Sequence, residues 1–255
     1  MASATTAEAP PQSGESHRAA QAALVSLIAN LIAHAWERLV DPHDLKASTP
    51  KLVAAVEAIV THYGRASTQA ALTDYRNQRR AAGVVGRVKL PTAPTPSHDD
   101  VQGLVEHSLS PMYGPVDATV TFKVRETLAD EVERMVLDQS RGAIIGAVHA
   151  DPEAKAWARV TEPGACSFCR LLATRGAVYR SDKSADFRAH LACRCHVEPV
   201  FVAYEATAQI RQDQAEYKKL TEKYGKSGRA IHVAWRQHVE GRPVTGPLAK
   251  PYKRG

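Results

Sequence analysis

All four cysteines of this chain fall within thirty consecutive residues of the stretch GACSFCRLLATRGAVYRSDKSADFRAHLACRCHVEPVF, as Cys166, Cys169, Cys193 and Cys195. Two thiols two residues apart can point at one centre from a tight turn, and Pro163-Gly164 supplies such a turn just ahead of Cys166. Downstream, His190, Cys193, Cys195 and His196 stand within seven residues. Four of these six side chains would complete a tetrahedral sulfur or sulfur–nitrogen site of the kind zinc prefers. In an extended strand alternate side chains share a face, so Cys193 and Cys195 would point the same way, which permits shared ligation without requiring it.

Three uses of the window follow from its chemistry: a structural zinc site, cysteines with a structural role that are paired or free, or a reactive thiol. The last lacks a Cys-His-Asn order or a nucleophile turn. If a metal is held, Cys166, Cys169, His190 and Cys193 are the ligand set the spacing favours, with Cys195 as the alternative to His190.

The rest of the chain bounds what surrounds that window. A length of 255 residues suffices for one large domain or two small ones, and 44% hydrophobic content lets it bury a core without disulfides. Only 6% of residues are aromatic, and the apolar content is largely Ala, Val and Leu at helical spacing, which predicts a mainly helical body. The most apolar run, Ala22 to Ala35, is interrupted by Ser26, Asn30 and His34 and falls short of the ~20 residues of a spanning helix. The expectation is therefore no membrane partner and a reducing cytoplasm, where clustered cysteines are more often ligands than disulfides.

Residues 1–15 are small, polar and proline-containing and read as a disordered lead. A helical hairpin is expected over 16–83: one helix with Leu24, Ile28, Leu31, Ala35 and Leu39 on a stripe, and a second starting near Ser48 or Thr49 with Pro50 in its first turn. Residues 84–97 carry three closely spaced prolines and read as a linker. Beyond it come a helix from about Asp99 to Leu109 and a long amphipathic segment, one helix or two with a bend near Gly142. Short β-prone pieces, WARVT, GAVYR and HVEPVFV, flank the cysteine window, so the fold class is mainly α with a small α+β Cys/His knuckle. Residues 205–255 form a basic helical tail, with 11 Lys and Arg against 5 Asp and Glu, which accounts for the whole net charge of +6. Such a tail can meet DNA or an acidic protein surface, or simply be a solvated face.

The order Trp157, Cys166-x2-Cys169 with Leu171 and Leu172 behind it, about twenty variable residues, then His190-x2-Cys193-Arg194-Cys195 leading into HVEPVF resembles the phage head morphogenesis domain of the MuF-like minor capsid proteins. The resemblance covers residues 98–204. It implies a helical N-terminal half before a MuF-like C-terminal domain, and a structural minor capsid protein of a tailed phage acting in head morphogenesis near the portal. It also implies the portal or major capsid protein as partners and the phage head, after assembly in the host cytoplasm, as location; packaged DNA as a partner of the tail rests on its charge alone.

Two other function classes are open to the sequence. A capsid maturation protease would need a serine or zinc-protease signature, and neither G-x-S-x-G nor H-E-x-x-H is present. A zinc-dependent nucleic-acid-binding module would use the same cluster with Arg170, Arg175, Arg180, Arg188 and Arg194 as phosphate contacts.

Overall fold

In a computed structural model the described residues are 15–92, 95–162, 164–179, 193, 195–226 and 228–244. Among them are seven α-helices and one two-stranded sheet, so the protein is mainly α with a minor β part, as its helical spacing predicts. The chain forms two compact units, residues 1–147 and 148–255.

The first unit holds α1 (Glu15–Leu39), α2 (Leu45–Ala81), α3 (His98–Leu109), a 3-10 turn (Ser110–Tyr113) and most of α4 (Ala118–Ala150). Its core joins Val25-side residues of α1 (Ile28, Ile32, Trp36), Leu52, Val56 and Val60 of α2, Val101 and Val105 of α3, and Leu128, Val132 and Val136 of α4. On α1 the buried centre lies on Val25, Ile28, Ile32 and Trp36, with Leu24, Leu31 and Ala35 at its flanks. Compactness thus groups α3 and most of α4 with α1 and α2, whereas sequence texture changes at the proline-rich stretch.

The start of α2 corrects the expectation for Pro50. Asp44 caps the helix by accepting from the Ala47 N–H at 3.0 Å, so the helix begins at Leu45 and Pro50 stands inside it. Proline there leaves the Lys46 carbonyl without its usual donor. Ser48 knits the junction, its hydroxyl donating to the Asp44 carbonyl at 2.8 Å and accepting from the Asp41 N–H at 2.9 Å. At the far end Gly83, with φ +74°, turns the chain: its N–H reaches the Arg80 carbonyl and the Val84 N–H the Arg79 carbonyl, the Schellman pattern that an L side chain resists. α4 is a single helix of 33 residues, which resolves the alternative of two.

α1 also corrects the membrane estimate. Its 22 residues from Arg18 to Leu39 include an 18-residue window of mean hydropathy 1.4, long and apolar enough to cross a membrane by length and composition. The shorter apolar run stops at Ala35 and omits the residues on either side, and core helices of soluble proteins pass the same test.

In the second unit β1 (Ala156–Val160) pairs antiparallel with β2 (His196–Val200), setting Trp157 opposite Pro199 and Arg159 opposite Val197. Among its described residues GAVYR contributes a single bridge, Tyr179 to Trp157, whose rings stack at 4.2 Å. Between the strands lies α5 (Ser167–Ala173), and after them come α6 (Ala208–Tyr224) and α7 (Arg229–Val239). Arg170 of α5 forks onto both oxygens of the buried Asp213 of α6, with Nε 2.9 Å from Oδ2. Trp235 of α7 donates its indole N–H to the Ser167 carbonyl at 2.7 Å, tying α7 to the start of α5.

Candidate metal centre

The C-x2-C pair straddles the start of α5. Cys166 is the helix cap, and its sulfur accepts from the Cys169 N–H at 3.4 Å, a role usually taken by a short oxygen side chain. That geometry leaves Cys166 exposed and carries Cys169, one turn in, to complete burial. Cys193 and Cys195 immediately precede β2 and are also buried. All four cysteines are described, and none forms a disulfide.

The sulfurs of Cys169, Cys193 and Cys195 lie within 4.8 Å of one another, and those of Cys169 and Cys193 are 3.2 Å apart. Tetrahedral zinc, with Zn–S of about 2.3 Å, sets its sulfurs about 3.8 Å apart, so a metal would enter with adjustments of no more than about 1 Å. This buried three-thiol group could hold a metal ion. Cys166 is not part of it, and His190 lies outside the described residues. His196, the other nearby imidazole, stands with Nδ1 3.4 Å from the Glu162 carboxylate.

Electrostatics separate this group from a reactive thiol. Hydrogen bonds from Cys193 and Cys195, together with burial, push the Cys169 thiol upward. For Cys195 the hydrogen bond with Cys169 pulls down, but the one with Cys193 and burial prevail and hold it at about 12. Reactive cysteines have lowered pKa values and open access, and Cys169 and Cys195 have neither. A metal ion reverses the balance, because a coordinating thiol is deprotonated outright.

Arg159 is the residue that spacing alone does not reveal. It sits on β1 at 1% exposure, with Nη1 3.7 Å from the Cys169 sulfur. Three thiolates around a divalent ion leave one net negative charge, and a buried guanidinium beside them offsets it. The only sequence signal was a charged residue in the middle of the otherwise apolar AWARV.

The amino-acid sequence matches the family model described as VG15 protein over residues 8–227. The chain belongs to this family of phage-related proteins. The match takes in the whole cysteine window and reaches into both units, ending just past α6 and short of α7. Comparison with curated proteins and with solved structures gave no match.

Proposed function

We propose that this chain is a structural minor capsid protein of a tailed phage, acting in head morphogenesis near the portal, and that its second unit is pinned by a structural zinc ion. The observation that carries this reading is the buried convergence of Cys169, Cys193 and Cys195 in a chain of a phage-related family. These are three of the thiols in the Cys-x2-Cys and His-x2-Cys-Arg-Cys elements that resemble the head morphogenesis domain. Three soft, buried sulfur donors suit zinc, and His190 is the side chain within the motif that would complete four ligands. Zinc so held would be structural, since closed sites of this kind contribute folding free energy rather than a reaction centre.

The portal or the major capsid protein is the partner this role requires, and the basic tail is a candidate contact for packaged DNA. Quantitative mass spectrometry of mature particles and DNA-free precursor heads tests the reading. A few copies per particle, in both, are expected. Presence in precursors followed by loss or cleavage in mature heads would instead favour a maturation protease or a scaffold.

A further inference from the structure

Within the second unit α5 and α7 enclose a cavity of about 330 Å³ whose walls divide sharply by chemistry. Phe168 and Leu171 of α5 and Val233 of α7 supply apolar wall, and Phe168 remains 40% exposed. Arg229, His232 and Arg236 supply the rim. Their spacing of three and four residues puts them on one stripe of α7, and all three are exposed. No carboxylate is among the described lining residues, and α7 from Arg229 to Val239 contains no Asp or Glu. Arg170, the nearest basic residue on α5 in sequence, is committed to Asp213.

We propose that this groove is a docking site for an acidic amphipathic segment of another protein, one large apolar side chain seated against Phe168, Leu171 and Val233 with flanking carboxylates on Arg229 and Arg236. Charge complementarity selects the acid, and the apolar wall selects the anchor. DNA fits less well. Trp235, the largest ring at the groove, is 1% exposed, gives its N–H to Ser167, and is flanked by Tyr217 and His238 at 5.4 and 5.7 Å, so it offers no open face for a base, and among the described lining residues Phe168 alone is a half-exposed ring, short of a row of stacking platforms. Phosphates alone would leave Phe168 and Leu171 unused. The chain's own ends are also poor occupants by composition: residues 245–255 carry Lys250, Lys253 and Arg254 with no acid, and residues 1–14 carry Glu8 as their single acid.

None of the groove's lining residues belongs to the thiol group, but Phe168 adjoins Cys169 on α5, so native chain and variants are compared at equal metal content. The full chain, Phe168→Ala and the double variant Arg229→Glu/Arg236→Glu are each used to select from a displayed library of random peptides about 12 residues long. The expected winners on the native chain pair a large apolar residue with two or more carboxylates. Their affinity, read by fluorescence anisotropy of the labelled peptide, falls about tenfold or more on either variant and weakens as salt rises. Unchanged circular dichroism of the variants shows that the loss is local. The proposal is overturned if no peptide is enriched, if the winners lack carboxylates, or if the variants bind them equally. It is likewise overturned if the variants lose only binding to a duplex of about 20 base pairs, which assigns the groove to DNA, or only a dimer seen by light scattering, which assigns it to a second copy.

Discussion

Gln139 shows how closely single residues are fitted in the first unit. Its side-chain amide, buried on α4, donates to the Val60 carbonyl of α2 at 3.1 Å, and it passes where a Cβ on Gly64 would stand. A methyl at Gly64 would lie 2.0 Å from that amide nitrogen. Alanine in mid-helix ordinarily gains about 1 kcal/mol over glycine, yet overpacking costs about 1–3 kcal/mol. Gly64→Ala should therefore lower stability by up to about 2 kcal/mol in urea denaturation, and Gly64→Ala/Gln139→Ala should recover most of it. Additive losses would contradict the clash.

His98 and Glu57 form a second residue-scale device, an exposed pair linking α3 to α2 at 3.0 Å. The hydrogen bond and charge of Glu57 raise the imidazole above 6.5. A raised histidine contributes its stability below the unfolded pKa and loses it as pH rises through the folded one. An NMR titration of His98 should give a midpoint above 6.5 that falls back in Glu57→Gln. The same midpoint in both proteins would remove the pairing.

At the scale of elements, legibility followed length. α1, α2, α4, α6 and α7 each repeat an apolar stripe over three turns or more, and α3 announces itself by Ser97 and Asp100 in a capping box. α5 escaped because it has only seven residues and a cysteine as cap, so neither periodicity nor a cap signal marks it. Pro50 misled because proline is common in a first turn, while the effective signal, Asp44, lay further upstream. The sheet was visible as two β-rich pieces, but Tyr179 pairs at one residue only, and its value lies in the ring stacked on Trp157. Trp157 is 1% exposed, and Trp157→Ala should cost about 3–5 kcal/mol of unfolding free energy by chemical denaturation. A loss within the range of surface substitutions would mean that the ring does not anchor β1.

For the thiol group, the spacing allowed Cys193 and Cys195 to face one centre, and their sulfurs do meet that of Cys169, although both residues stand ahead of β2 rather than in it. It did not carry the separate use of Cys166 as a cap, which depends on where α5 begins, nor Arg159, whose proximity depends on the register of β1 against β2.

For the whole molecule, a division into two compact units means that damage to one need not melt the other. With zinc bound as proposed, Cys169→Ser should speed hydrogen exchange across β1, α5 and β2 while α1 to α3 keep their protection. Uniform loosening of both units would contradict that division. The most direct measurement is native mass spectrometry of the full chain purified without added metal, beside Cys169→Ser and Cys195→Ser. The expected result is one zinc ion per chain, lost from both variants. A metal-free native chain, or zinc retained equally in both variants, would contradict a zinc site built from Cys169, Cys193 and Cys195.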